Sequence, residues 1–195
     1  MQGVTMAFFE DVWSRNFLNI FATPLLISEY VGGLVLSSIV TSLVGLVVML
    51  FIAVAFFKLS FLVYGFMAMP FFLVLFFFGI SLGIFGSALV LRFGPASEWF
   101  IWPIPALISP FAGVLYPVST LPQWMQFISR LLPPSYVFEG LRAIISGSSV
   151  SGITLVWSAF LAVGYILLAY WFFTRIYQHT LRTGLIARYS AESLS

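Results

Sequence analysis

The stretch that decides the fold is "GVLYPVSTLPQWMQFISRLLPPSYVFEGLR", Gly113–Arg142. It lies between two long apolar runs and carries four prolines (Pro117, Pro122, Pro133, Pro134), three charges and several aromatics. An ordinary loop would be more polar, and an ordinary membrane span would not hold so many prolines. The pattern fits short helices separated by breaks. Pro117 lacks an amide hydrogen and is placed to end the preceding span. Pro122 suits the first turn of a short helix over 123–132, with Ser119 or Thr120 as cap. Trp124, Phe127, Ile128 and Leu131 fall on one face of it, which suits a lipid interface or the bundle. Pro133–Pro134 break the chain again, and Ser135 is placed to cap a second short helix over 136–145. On that helix Glu139 and Arg142 stand three apart, within reach of one another.

Outward from this stretch the chain is a membrane protein. Of its 195 residues 62% are hydrophobic and 7% charged, whereas a soluble domain carries about 25% charged residues. Four segments are long enough to span: 31–57, 62–91, 99–116 and 153–173. Backbone groups in lipid must be satisfied internally, and no strand alternation is present, so the spans are helices. The expected fold is an all-α integral membrane protein of about four transmembrane helices in one domain over 1–195. Segment 1–24 is amphipathic, 117–147 holds short outer helices, and 174–195 forms a tail.

With four spans both termini share a side. That side holds Arg15, Arg92, Arg175, Arg182 and Arg188, and the other holds Lys58, Arg130 and Arg142. The bias places both termini in the cytoplasm. The basic tail "TRIYQHTLRTGLIAR" is accounted for as a stop-transfer flank. Gly79 and Gly83, continued by Gly86 and Ser87, and the pairs Ser38–Ser42 and Thr41–Gly45, form small faces suited to helix packing.

The N-terminal "TMAFFEDVWSRNFLNIFATP" differs from the spans. Phe9, Val12, Trp13, Phe17, Ile20 and Phe21 recur at helical spacing, with Glu10, Asp11, Ser14, Arg15 and Asn19 mainly opposite. Pro24 limits this helix, which is expected to lie in the membrane interface as an anchor or as a docking element for a partner. The start, "MQGVTMAFFEDVW", has neither the basic region nor the small-residue pattern of a signal peptide.

Catalytic signatures are missing. There is no G-x-x-x-x-G-K-[ST], and the one lysine, Lys58, lies on the other side. With no cysteine there is no thiolate metal site. No metal site and no catalytic residue is expected, and the lone His179 lies in the tail. No ionisable residue falls inside the core of a span, which argues against a proton-driven carrier or an intramembrane enzyme. The small net charge of +2 gives no reason to expect nucleic acid.

"SPFAGVLYPVSTLPQWMQFISRLLPPSYVFEGLRAI" resembles the hallmark of type-2 ABC transporter permeases. In that family a G-x-x-[FY]-P element, here Gly113–Pro117, precedes L-P-x-W-[LM], here Leu121–Met125. An [LP]-P-x-[ST]-Y element at Pro133–Tyr136 and E-x-[LI]-R at Glu139–Arg142 follow. Upstream, "FFEDVWSRNFLNIFATPLLISEYVGG" resembles the family's cytoplasmic segment, an acidic pair (Glu10, Asp11) followed by the turn Thr23-Pro24-Leu25. The resemblance implies a permease subunit of an ATP-driven exporter in the bacterial plasma membrane. It implies pairing with a second permease copy and with a separate ABC ATPase that binds ATP and magnesium; no cofactor is expected on this chain. It implies that the N-terminal segment is a coupling helix against the ATPase, with Glu10, Asp11, Arg15, Thr23 and Pro24 at the contact. The broken segment would form re-entrant helices at the exit, with Gly113, Pro117, Leu121, Pro122, Trp124, Pro133, Tyr136, Glu139 and Arg142 as gate residues. Family members usually have six spans, two of them before the coupling helix, so "MQGVTMA" reads as the tail of a preceding span. The competing reading is a non-transporting membrane scaffold or assembly subunit. The aromatic content points to an apolar or amphipathic cargo, such as drugs, lipids or lipid-linked sugars.

Overall fold

The computed structural model describes residues 2–14, 23–57, 61–94, 97–148 and 151–183. Among these the ordered elements are helical: α1 (Gln2–Trp13), α2 (Ile27–Phe57), α3 (Phe61–Phe93), α4 (Glu98–Ile101), α5 (Ile104–Ala112), a 3-10 turn (Val118–Thr120), α6 (Gln123–Leu131), α7 (Pro133–Ile145) and α8 (Gly152–Thr183). Three helices among the described residues are long and apolar enough to cross a membrane, over Ile27–Met49, Met67–Phe93 and Gly152–Thr183. At 1.5 Å per residue each exceeds the roughly 30 Å hydrocarbon core. α3 is the most buried of them: 56% of its apolar window is buried in protein, against 17% for α2 and α8. The apolar side chains left exposed on α2 and α8 suit lipid as their solvent.

Stretch 99–116, expected to be one span, is two short helices with a turn at Trp102–Pro103. Pro103 and Pro105 have no amide hydrogen, and a residue before proline is pushed away from helical angles. The segment also stops earlier than expected, at Ala112 rather than next to Pro117. Gly113 takes a left-handed conformation, φ 65°, and ends α5 there. At the other end of the chain α8 runs past the expected limit of 173 to Thr183, so the first part of the basic tail continues the helix.

By packing, the chain divides into two units. The first comprises 1–45, 79–102 and 167–195. Here one face of α1 is buried in protein, through Val4, Phe8, Phe9 and Val12, while Met6, Glu10 and Trp13 stay exposed. The apolar face of α1 is thus covered by protein, and the reason is its close fit to neighbours. A Cβ on Gly3 would overlap Ser38 of α2, and one on Gly86 of α3 would meet Ile101 of α4 at 3.0 Å and Thr5 at 3.6 Å. The small residues Ser38, Gly83, Gly86 and Ser87 are therefore buried packing positions, while Thr41 and Gly45 face outward. Phe85 of α3 stacks on Phe172 of α8 with ring centres 5.0 Å apart. Helix α1 stops at Trp13; Arg15, Phe17, Asn19, Ile20 and Phe21 lie outside the described residues.

The second unit comprises 46–78 and 103–166. Its core is Ala68, Phe71 and Val74 of α3, Val137 and Ile144 of α7, and Ala162 of α8, with Leu75, Leu141, Leu155 and Ala159 packed against it. Gly140 permits the closest approach, because a Cβ there would overlap the ring of Phe71.

Candidate functional site

Two sites were expected, and each lies within one unit. In the second unit the broken stretch is a folded hairpin of helix ends. The ends of helices leave carbonyls without helical partners, and in an apolar setting each needs another donor. The last turn of α5 shows how this is met. The Pro110 carbonyl accepts the Tyr116 hydroxyl at 2.9 Å, and the Phe111 carbonyl accepts the Ser129 hydroxyl at 2.6 Å. The Gly113 carbonyl accepts Arg142 Nη2, which also donates to the Tyr116 carbonyl at 2.8 Å. A cation at a helix C-terminus is favoured by the helix dipole as well.

Glu139 takes the opposite charge to the same place. Its Oε1 accepts the Val118 amide at 2.7 Å and Arg142 Nη1 at 3.1 Å. The Glu139–Arg142 pair is thus a clamp on the turn Gly113–Val118. Its side chains are 42% and 31% exposed, so the attraction between the charges is screened and small. The bonds to backbone groups carry more of its weight.

The prolines hold positions that differ in part from those read in the sequence. Pro117 precedes the 3-10 turn, in which Thr120 donates to the Pro117 carbonyl at 2.7 Å. Pro122 is the N-cap of α6, and neither Ser119 nor Thr120 caps that helix through its side chain. Gln126 instead reaches back to the Leu121 carbonyl at 2.8 Å. Pro133 and Pro134 do not separate the helices; they are the first residues of α7, after Leu132. Their fixed φ and missing amide hydrogen suit that position. Ser135 consequently lies inside α7, where its hydroxyl is 2.5 Å from the Ser129 carbonyl. Tyr136 donates to the Arg130 carbonyl at 2.8 Å. Trp124 is exposed on α6, with its ring edge toward Phe111 at 6.3 Å. Among the described residues no buried side-chain polar atom lacks a partner.

In the first unit the expected coupling residues stand where α1 ends and α2 begins. Glu29 accepts the Leu26 amide at 2.9 Å, the returning half of a capping box that starts α2. Asp11 does not point outward with Glu10. It is half-buried and accepts the Tyr30 hydroxyl at 3.0 Å, so α1 is tied to the first turn of α2. Burial pushes the Asp11 carboxyl up from its ordinary value, Tyr30 pulls it back, and Glu10 adds to the rise. Glu10, Thr23 and Pro24 are exposed. A cavity of about 410 Å³ opens beside the bond, lined by Ala7, Glu10, Asp11, Leu25, Glu29, Tyr30, Gly33, Leu34 and Ser37. No group of three or more His, Cys, Asp or Glu among the described residues is arranged to hold a metal.

A family model described as ABC-2 type transporter matches residues 1–146, from α1 through the hairpin that ends with α7. The chain belongs to the ABC-2 type transporter family. It is therefore an ABC transporter permease component, embedded in a membrane. No curated protein and no solved structure matches it. Within this ABC-2 chain, sequence reasoning missed Tyr30, Tyr116 and Ser129, which complete the two sites. Tyr116 enters the sequence pattern only as the aromatic of G-x-x-[FY]-P, and its reach to Pro110, six residues back, has no periodic signature. Asp11 and Tyr30 lie 19 residues apart, and Ser129 and Phe111 lie 18 apart; such pairs follow from helix packing and not from spacing.

Proposed function

We propose that this chain is the permease subunit of an ATP-driven export system, set in the bacterial plasma membrane with both termini cytoplasmic. It forms the translocation path with a second permease copy and docks a separate ABC ATPase. ATP and magnesium bind in that partner, and hydrolysis occurs there. The docking elements are the exposed Glu10 at the end of α1, Arg15, and the turn Thr23–Pro24. The observation that carries this reading is the Asp11–Tyr30 bond. It joins the two helices that flank the docking segment, so a displacement there is delivered into the span α2.

The test uses the separate ABC ATPase that this reading requires. Co-expressed and purified from membranes, wild-type permease should retain the ATPase. Glu10→Lys combined with Arg15→Glu should release it while membrane insertion stays intact. Undiminished co-purification would sink the docking assignment and favour a non-transporting scaffold.

The α5–α7 hairpin is assigned to the exit of the path, with the Glu139–Arg142 clamp holding it closed. Glu139→Gln keeps an oxygen for the Val118 amide but removes the charge facing Arg142. Altered export with normal assembly is expected; unaltered export would remove the gate.

A further inference from the structure

A second cavity, in the first unit, has a different chemistry from the one beside Asp11. Leu89, Phe93, Ser97 and Phe100 line a space of about 380 Å³ where α3 ends and α4 begins. That is within the size range of small-ligand pockets, roughly 300–1,000 Å³. Among the described lining residues the polar side chain is that of Ser97, and it is engaged: its hydroxyl donates to the Gly94 carbonyl at 2.7 Å. The lining is therefore apolar in effect and suits a hydrocarbon occupant.

The rim adds a charge. The exposed Arg92 guanidinium lies over the ring of Phe93, one of the lining residues, 5.4 Å from its centre, so a cation stands beside the cavity. Next along the chain Trp99 is 81% exposed, a side chain of the type that gathers at membrane–water interfaces. An apolar cavity with a fixed cation at its edge complements an amphiphile with an anionic head. A guanidinium matches phosphate oxygens in a forked geometry.

We propose that this cavity binds an anionic phospholipid, one acyl chain between Leu89, Phe93 and Phe100 and the phosphate on Arg92. This goes beyond the general basic flank of a membrane span. Arg182, exposed at the end of α8 with no ring contact described, belongs to that flank and serves as the comparison. The proposal is independent of export and of ATPase docking.

The experiment is native mass spectrometry of the full chain in detergent with equal amounts of phosphatidylglycerol and phosphatidylcholine of identical chains. Retention of one phosphatidylglycerol is expected, with a preference of roughly fivefold, the increment of one basic residue near an anionic surface. Arg92→Gln should abolish the preference, and Arg182→Gln should leave it. Phe100→Ala, which keeps the charge and opens the wall, should weaken retention of both lipids; it carries the test should the Arg92 variant fail to fold. Equal retention of the two lipids by wild type overturns the proposal. So does a loss of preference in the Arg182 variant as large as that in the Arg92 variant, which would mean a diffuse basic collar. Lipid retention undiminished by Phe100→Ala overturns it as well.

Discussion

The α1–α2 junction and the α5–α7 hairpin both connect helices through a break, and they are held with different redundancy. At the first, Asp11 bonds Tyr30 beside an open cavity, and the rest of the hold is apolar packing of α1 on its neighbours. In the second, Tyr116, Ser129, Tyr136, Glu139 and Arg142 each take at least one backbone group. One hydrogen bond is worth about 1 kcal/mol net, a factor of about five in population. Losing that bond alone leaves the packing of Val4, Phe8 and Phe9 in place. Unfolding the hairpin would strand several carbonyls at once, whereas a gating movement needs only the Glu139–Arg142 clamp to part.

Substitutions in the hairpin should therefore cost stability, and those at the junction should cost little. The largest effect is expected for Arg142→Ala, which strips donors from Gly113 and Tyr116 and leaves Glu139 without its cation. Bonds to charged groups are worth about 1.5–3 kcal/mol each; with Arg142 partly exposed, a total loss of about 3 kcal/mol is expected. Thermal unfolding in detergent would reveal it, and a loss below about 1 kcal/mol would mean that the clamp is loose. Next is Gly140→Ala, whose added methyl meets the Phe71 ring, itself 2% exposed. A buried ring cannot swing aside, so overpacking of about 2 kcal/mol is expected in the same assay.

At the junction Tyr30→Phe should cost about 1 kcal/mol, because it removes one bond and keeps the ring against Phe8. A cost equal to that of Arg142→Ala would erase the contrast between the regions. The smallest effect is a pH slope. Burial raises the Asp11 carboxyl in the folded protein, so the fold favours its protonated form. Its contribution to stability is full below the unfolded value of about 3.9 and is lost as pH rises through the raised folded value. The unfolding midpoint should fall as pH rises across that window in the wild type. Asp11→Asn keeps an acceptor for Tyr30 and should flatten the fall; an unchanged slope would place its origin elsewhere.

The sites were legible to unequal degrees. Glu139 and Arg142 stood out because i, i+3 spacing on a helix is a local property, and their mutual contact is the part that spacing determines. Their backbone partners 21 to 29 residues away were not legible. Glu10 and Asp11 read as one acidic pair because adjacent residues look alike in sequence. They part company only when α1 packs on α2 and turns Asp11 toward Tyr30. The N-terminal apolar face was likewise evident, but periodicity cannot tell whether lipid or protein will cover it.

By itself the sequence determined that this is a helical membrane chain of the ABC-2 kind, because apolar length, missing charge and the order of proline motifs are properties of the chain alone. It also determined that 113–142 must break into short helices, since prolines act locally on the backbone. Only the tertiary structure decided that Gly113 ends α5, that Pro133 and Pro134 begin a helix, and which side chain answers each exposed carbonyl. A hydrogen bond between residues 18 or 29 apart exists only once two helices have settled their rotation and register, and those depend on fits such as Gly140 on Phe71 and Gly3 on Ser38.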